Sequence, residues 1–464
     1  MRTSLLASAS AIGAIGIGVL AWWSTQGSQV PSLPPTGGNV LVLLYDDAGI
    51  EKIGAYGHEL AARTPRLDAL AADGVRFTRA YAAPVCSPTR GILLTGRYGR
   101  RTGLGWLVDV GDNKAQLPVE ALTIPEMLDQ APTRWANGAI GKWHLAGPRA
   151  RGVNTHPNRS GFEWFSGTSK NPEYGEGRGY FAWHHNENGA VTEATGYLTS
   201  RTVDDALARI EAMPEPWFLY VAFHAPHTPV HVPPAHLTTL DVDDSSPKHL
   251  KYEAMLEALD TEIGRLLDGI DPDVAARTTV FALGDNGSSK AAFDQRRKDV
   301  KASLYEGGIR IPMTVTGPHV ANPGTTTDAL VHVADLFPTV ADIAGVPLDG
   351  GRVADGERSV ELDGRSLLPL LHGDEVVGRD TLYVEAFRKQ GGGPTDVRGV
   401  ISPTHKLVVS ERTERLSRLD GPFAWEGSNL LDENRALSPE DQAAYDALKT
   451  SLTAAIDELV FEGR

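Results

Sequence analysis

Short runs of mostly apolar residues recur along this chain and constrain its fold more strongly than any other feature. A strand that is apolar along its whole length is buried on both faces, as in the centre of a parallel sheet. Helical patterns separate most of the runs, so strands and helices alternate. This order predicts an α/β fold with a large, mixed but mostly parallel sheet sandwiched by helices. The runs are residues 40–45, 136–140, 217–223, 278–283 and 381–384.

The C-terminal part of the chain has a different pattern. Residues 397–401 and 405–410 flank a proline-containing turn, which predicts a hairpin, and residues 415–419 form a third candidate strand. Ser438 and Pro439 then open a predicted helix as its cap and first turn. We therefore expect a small antiparallel sheet plus a helix whose apolar stripe is core. The stripe consists of Tyr445, Leu448, Leu452, Ile456 and Leu459.

Residues 1–38 are predicted to be an export segment, over residues 1 to about 25, followed by a linker. Residues 4–23 carry no charge, and a proline-containing linker follows. The segment is either a cleaved signal peptide or a signal anchor, so we expect a protein that is periplasmic, secreted or anchored to the outer face of the inner membrane. An α/β domain is predicted over residues 39–385, and a C-terminal subdomain over residues 386–464.

Net charge and cysteine content exclude other classes. The chain of 464 residues has a formal charge of -15 and a pI near 5.4, which would repel polyphosphates, so no nucleic-acid partner is expected. Its single cysteine, Cys86, permits no internal disulfide.

Polar residues follow two of the predicted strands. Asp46 and Asp47 end the first, and Asp285 and Asn286 follow the run 278–283. Ligands of α/β sheets gather at such carboxyl ends. Hard oxygen ligands suit Ca²⁺ and, less easily, Mg²⁺. Each pair alone is also typical of an ordinary turn.

The segment around Cys86 predicts an anion site. Ser87 can cap a helix whose first turn holds Pro88, which puts Cys86 at a helix N-terminus, and Arg90 adds a cation one turn later. The alternative is a small buried cysteine that packs before a helix.

Residues 86–91, Cys-Ser-Pro-Thr-Arg-Gly, and residues 94–97, Leu-Thr-Gly-Arg, together resemble the signature of the type I sulfatases. The resemblance implies that Cys86 is oxidised to formylglycine (3-oxoalanine) by a formylglycine-generating enzyme, and that this residue also contacts the metal. It implies an arylsulfatase-like fold of the alkaline phosphatase superfamily and, as activity, hydrolysis of sulfate esters.

Other elements extend the resemblance along the chain. Gly-Lys-Trp-His-Leu at 141–145 implies Lys142 and His144 as active-site residues, and Pro-His-Thr-Pro at 226–229 implies His227. Lys301, before Tyr-Glu-Gly-Gly at 305–308, matches the active-site lysine. Asp46, Asp47, Asp285 and Asn286 match the metal ligands. The family often has Gly where this chain has Ala302, which leaves Lys298 as an alternative to Lys301.

The resemblance implies a role for each residue. Arg90, Lys142, His227 and Lys301 would bind the sulfate. The hydrated aldehyde would attack sulfur while Asp285 takes its proton, His227 and Lys301 would protonate the departing alcohol, and His144 would deprotonate the second hydroxyl.

Two rival functions remain open. One is a phosphodiesterase or phosphonate monoester hydrolase of the same superfamily, and the other is an inactive protein that binds sulfated glycans. The substrate, a sulfated small molecule or glycan, would be selected by loops 106–117 and 154–197. His224 is interpreted as a strand-end or substrate-side histidine. Trp183, His184 and His185 either line the cleft or are exposed loop residues, and they are left out of the core site.

Overall fold

The computed structural model describes residues 38–111, 113–172, 179–295, 297–374, 378–388, 396–419, 421, 426–432 and 436–459. The predicted export segment and its linker therefore lie outside the described residues, apart from Gly38. Within the described ranges, no helix combines the length and apolarity that crossing a membrane requires.

An eleven-stranded mixed sheet forms the centre of the molecule, with strand order β10-β2-β9-β8-β1-β7-β3-β4-β5-β6 and β11 beside β2. Parallel pairings predominate, and every pairing among β8, β1, β7 and β3 is parallel. These four strands contain four of the five predicted apolar runs and are buried along their whole length. The strands are β1 (Asn39–Tyr45), β2 (Val75–Tyr81), β3 (Ala136–Lys142), β4 (Phe165–Thr168), β5 (Ala182–Glu187), β6 (Ala190–Thr195), β7 (Trp217–Ala222), β8 (Thr278–Gly284), β9 (Arg310–Thr316), β10 (Thr325–Thr327) and β11 (Val331–His332).

Helices cover both faces of this sheet, as predicted. Along β1 the side chains alternate between two cores: Val40, Val42 and Leu44 face one, and Leu41 and Leu43 face the other. The first core contains residues of α2, α4 and α10, and the second contains residues of α6 and α7. The helices are α1 (Pro65–Ala72), α2 (Cys86–Thr95), α3 (Gly99–Thr102), α4 (Ile124–Leu128), α5 (His156–Arg159), α6 (Leu198–Ala212), α7 (Lys248–Asp268), α8 (Pro272–Ala275), α9 (Glu306–Ile309), α10 (Leu336–Ala344), α11 (Leu368–Leu371) and α12 (Pro439–Glu458).

A four-stranded antiparallel sheet follows near the C-terminus, after a short hairpin. Ser438 caps α12, since its Oγ accepts a hydrogen bond from Asp441 N (3.1 Å). The remaining strands are β12 (Arg352–Asp355) and β13 (Arg358–Glu361) in the hairpin, and β14 (Leu382–Ala386), β15 (Val397–Ile401), β16 (His405–Val409) and β17 (Glu414–Arg418) in the sheet.

Two details of the C-terminal prediction were wrong. The run 381–384 was expected among the parallel strands, but β14 pairs antiparallel with β15, because its apolar side chains pack with Ile401 in a separate small core. Ile456 was expected in the apolar stripe of α12, but it is 37% exposed, whereas Leu448 and Leu452 are buried. The division into domains at residue 385 stays a prediction.

Candidate active site

The four predicted metal ligands lie together at one edge of the large sheet. Strands β1 and β8 are adjacent and parallel, with Tyr45 opposite Gly284, so the residues that follow each strand are neighbours. Asp47 N donates to Asp285 Oδ1 (3.1 Å), and Asn286 Nδ2 donates to Asp47 Oδ1 (2.9 Å). Asp46 completes the group, and all four side chains are buried.

Cys86 lies beside this group as the first residue of α2. Its Sγ is 3.4 Å from Asp46 Oδ1 and accepts a hydrogen bond from Lys301 Nζ (3.1 Å). Burial, and then the charge of Asp46, raises the pKa of the thiol. The unmodified thiol is therefore protonated at neutral pH and is a poor nucleophile.

The expected cap of α2 was wrong. The helix begins two residues earlier than predicted, with Val85 rather than Ser87 at the N-cap position, and no side chain caps it. Ser87 Oγ instead accepts a hydrogen bond from Val108 N (3.3 Å), which anchors the loop that follows α3 beside the nucleophile position.

Three cationic side chains pair with the three carboxylates. Arg90 donates to Asp46 Oδ2 (3.1 Å) and to Asp285 Oδ2 (2.9 Å), and all three groups are fully buried. Lys142 Nζ pairs with Asp46. Lys301 Nζ pairs with Asp47. The structure thus brings Lys301, rather than the alternative Lys298, to Cys86.

Opposing effects set the pKa values of the carboxylates. Burial favours the protonated form of Asp46, but the charges of Lys142, Arg90 and Lys301 together outweigh it and hold the pKa of that carboxyl well below its usual range. For Asp285, burial and then repulsion from Asp46 dominate and raise the pKa to about 6. Nearby positive charge is therefore what keeps this group of carboxylates ionised.

Left-handed backbone is concentrated at this site. Among the described residues other than glycine, four have a positive φ, and three of them belong to the site or adjoin it: Asp47 (69°), His144 (56°) and Ala302 (71°). Each such residue carries a steric penalty that the surrounding structure must offset. Ala302, at which the family often has Gly, thus has a left-handed backbone conformation that favours Gly.

The hydrogen bonds of His227 define its tautomer. Its Nδ1 lies 2.7 Å from the carbonyl oxygen of Thr228, so Nδ1 carries the proton and donates it. The bare Nε2 faces the carboxylates, 3.9 Å from Asp47 Oδ2. Burial, and then the charge of Lys142, lowers the pKa of His227 well below its usual value, so the ring is neutral.

His144 has a partner that sequence reasoning missed. Its Nε2 is 3.2 Å from Asp109 Oδ2, and the carboxylate is 26% exposed whereas the ring is fully buried. Asp109 lies within loop 106–117, which was expected to select the substrate. No spacing or motif could have marked this carboxylate, because the contact forms only when the loop folds against residue 144.

Comparison with known proteins identifies the family. The family model described as Sulfatase matches residues 38–346. The chain belongs to the sulfatase family. It is therefore related to enzymes that hydrolyse sulfate esters.

Individual relatives agree with this membership. This sulfatase is 30% identical to human (Homo sapiens) arylsulfatase A over 78% of its own length and 72% of that protein. It is 28% identical to mouse (Mus musculus) arylsulfatase J over 76% of its own length, a match that spans 62% of the relative. The solved structure of Ps i-CgsB in complex with k-i-k-neocarrahexaose has the same fold, with a TM-score of 0.72, 23% identity, and coverage of 91% of this chain and 92% of that one.

The site of this sulfatase contains atoms that could hold a cation. Ligand atoms of Asp46, Asp47, Cys86 and His227 all lie within 4.8 Å of one another. Asn286 Oδ1 is buried and has no hydrogen-bond partner among the described residues. An orphaned amide oxygen beside buried carboxylates matches the hard-oxygen chemistry that Ca²⁺ prefers.

A cavity of about 320 Å³ adjoins the site. One lining residue contacts the active-site residue His144, because the carbonyl oxygen of Ser169 accepts a hydrogen bond from His144 N (3.2 Å). A second, Thr168, lies with its Oγ1 2.7 Å from Nε2 of the neighbouring His224.

Trp183 and His184 also line the cavity. The alternative that His184 and His185 are loop residues was wrong, because both lie in strand β5, so segment 154–197 places part of a strand beside the site. His224 is a buried histidine just after β7, as one of its two interpretations expected.

Proposed function

We propose that this protein hydrolyses sulfate monoesters with a formylglycine made from Cys86 and one bound divalent cation, Ca²⁺ rather than Mg²⁺. The observation that carries the proposal is the set of three cations, Arg90, Lys142 and Lys301, held around the Cys86 side chain by buried carboxylates. Sulfuryl transfer resembles phosphoryl transfer, in which positioning and charge stabilisation dominate.

The charges of the site support an anionic substrate. The three carboxylates, Asp46, Asp47 and Asp285, formally balance Arg90, Lys142 and Lys301. A divalent cation would leave an excess of two positive charges, which complements the single negative charge of a sulfate monoester. Because the groups are buried, these charges act in a medium of low dielectric constant and are strong there.

The metal proposal depends on ligand chemistry. Asp46, Asp47, Asp285 and Asn286 offer only oxygen, and Asn286 Oδ1 has no partner among the described residues. When bound, the cation would polarise a sulfate oxygen and the nucleophile. The lysines that now pair with Asp46 and Asp47 would then be released toward the substrate.

The state of Cys86 supports the proposed modification. A buried thiol with a raised pKa is not an effective nucleophile. The hydrated aldehyde would supply one hydroxyl that attacks sulfur and a second that permits release of sulfate. The formylglycine-generating enzyme is accordingly the proposed maturation partner.

Proton transfers are assigned from the contacts. Asp285 is positioned to take a proton during attack, since its pKa is raised and it adjoins Asp46 and Arg90. Lys301 Nζ is 3.1 Å from Cys86 Sγ and carries protons that it can donate to the departing alcohol. His227, with Nδ1–H committed to Thr228, faces the site with a bare Nε2 and is better suited to accept a hydrogen bond. His144 is the proposed base for the release of sulfate.

The proposed substrate is a sulfated small molecule or glycan, and its non-sulfate part would occupy the cavity beside Thr168. This cavity is lined by amide, hydroxyl and aromatic side chains, including Asn154, Ser169 and Trp183. Such groups suit a hydroxylated ring.

Export is proposed to depend on residues 1 to about 25. Cell fractionation would compare the full chain with a chain that lacks the apolar segment. The truncated protein should stay inside the cell, and its continued export would contradict the proposal.

A pair of assays tests the function against its closest rival. An aryl sulfate and the matching aryl phosphodiester would be compared at equal concentration, using protein whose Cys86 peptide has been analysed by mass spectrometry. We expect an aldehyde at position 86 and a higher kcat/KM for the sulfate. Preference for the diester would favour the phosphodiesterase, and no turnover of any sulfate ester by aldehyde-containing protein would favour the inactive binding protein.

A further inference from the structure

We infer that Asp109 is a positioning residue for His144, which it holds in the tautomer protonated at Nε2. The inference rests on the function proposed above, and it assigns a role to a loop carboxylate that is outside every motif of the chain. It starts from the contact between Asp109 Oδ2 and His144 Nε2 at 3.2 Å.

The tautomer follows from charge. Burial, and then the charge of Lys142, lowers the pKa of His144 to about 4, so the ring carries one proton at neutral pH. Asp109 is ionised, because burial is outweighed by its contacts with His144 and by Lys142, and its pKa is lowered to about 2. A carboxylate can only accept a hydrogen bond, so the proton lies on Nε2 and the lone pair on Nδ1.

No other described group would fix this tautomer. The contact with Asp109 is within ion-pair distance but does not meet hydrogen-bond geometry, and neither ring nitrogen of His144 has another partner among the described residues. The backbone of His144 is held separately, in a left-handed conformation with φ of 56° and a bond from its N–H to Ser169. Asp109 therefore sets the tautomer of the His144 ring, whereas the surrounding backbone contacts set the conformation of the His144 main chain.

The loop is anchored so that it can hold the carboxylate in place. Val108 N donates to Ser87 Oγ (3.3 Å), next to Cys86. On the other side, Leu117 N donates to the carbonyl oxygen of Leu145, next to His144. The loop is thus fastened beside the nucleophile and beside the base.

The negative charge of Asp109 would be electrostatically unfavourable in this loop if it did not orient His144. A negative charge next to a sulfate-binding site repels the substrate, so a carboxylate there needs a compensating function. Orienting a base supplies one: Nδ1 of His144 accepts a proton while Nε2–H stays directed at Asp109, and the carboxylate stabilises the imidazolium that forms. The same division of roles operates in other carboxylate–histidine pairs.

The first test observes the tautomer directly. Protein labelled with ¹⁵N at histidine would be examined by long-range ¹H–¹⁵N spectra, with His144→Gln to assign the signal. We expect Nε2–H in the wild type, and a mixture of tautomers in Asp109→Ala. This measurement needs neither the aldehyde nor the metal. A wild-type ring protonated at Nδ1, or one unchanged in Asp109→Ala, would overturn the inference.

The second test separates positioning from binding. Asp109→Ala should lower kcat about 10–100-fold with little change in KM. Asp109→Asn offers an amide N–H that can donate to Nε2 and favour the Nδ1-protonated tautomer, so its kcat should be no higher than that of Asp109→Ala. Glu120→Gln, which removes an exposed charge from the same part of the chain, should keep full activity. A rise in KM alone would mean that Asp109 acts on the substrate instead of on His144. If the wild type had no sulfatase activity, the proposed function would fail while the tautomer result stood.

Discussion

Replacing Ala302 by glycine should stabilise this protein, although glycine usually destabilises. Ala302 has a φ of 71°, in the left-handed region. For a residue with a Cβ, that conformation costs about 1–2 kcal/mol. Glycine avoids this cost but loses about 0.5–1 kcal/mol through its greater freedom in the unfolded chain. The side chain is exposed, so its removal leaves no cavity. We therefore expect a net gain of about 0.5–1 kcal/mol.

The matched control is Ala190→Gly. Ala190 is also exposed, but it lies in strand β6, and it is not among the described residues with positive φ. Here glycine brings only its entropic cost, so the free energy of unfolding should fall by about 0.5–1 kcal/mol. The two variants remove the same methyl group and should change stability in opposite directions.

Urea denaturation of the two variants and the wild type measures the difference. Ala302→Gly should also keep its sulfatase activity, because Lys301 N still donates to the carbonyl oxygen of Ser288 (3.0 Å) and residue 302 N to that of Pro84 (2.8 Å). If Ala302→Gly lost stability to the same extent as Ala190→Gly, the backbone at 302 would not be strained, and the explanation of the family's preference for Gly there would fail.

Three further predictions test the site and its support. Lys301→Met should lower kcat/KM by at least about 100-fold, while Lys298→Met should stay close to the wild type, as steady-state kinetics on an aryl sulfate would reveal. Asp47→Ala and Asp285→Ala should each lower bound calcium measured by plasma mass spectrometry, and unchanged metal content in both would mean that the cation binds elsewhere. Lys406→Met should lower the free energy of unfolding by about 3 kcal/mol, because Lys406 Nζ pairs with two buried carboxylates, Glu306 (3.0 Å) and Glu426 (2.8 Å); a loss below about 1 kcal/mol in urea denaturation would contradict this.

The centre of the fold could be predicted because a strand that is buried on both faces has a mostly apolar sequence. Strands β1, β3, β7 and β8 are apolar enough to be found individually, and parallel neighbours end at the same edge of the sheet. That rule alone brings Asp46 and Asp285 together. Predicting the roles of the cationic residues also required the family resemblance, because the local sequence around Lys142 or Lys301 does not indicate what either side chain contacts.

What could not be predicted depends on contacts between distant segments. Strand β14 has a short apolar run like that of a parallel strand, and only its pairing with β15 assigns it to the small sheet. Ser87 could cap a helix by residue type, but the contact with Val108 decides its role. Asp109 is one acidic residue in a loop, and its contact with His144 exists only in the folded chain.

The strain and the buried charges of this site have a common explanation. A group that stabilises charge at the moment of reaction must already be oriented, because reorientation would consume the stabilisation that it provides. Left-handed backbone at Asp47 and His144 directs side chains that a relaxed turn would direct elsewhere. Removing one member of the Arg90–Asp46–Lys142 cluster would leave an uncompensated buried charge, a loss of about 3–5 kcal/mol. The two helix-covered cores of the eleven-stranded sheet supply the stability that allows such a site to persist, which is why the reactive position lies where the most deeply buried strands end.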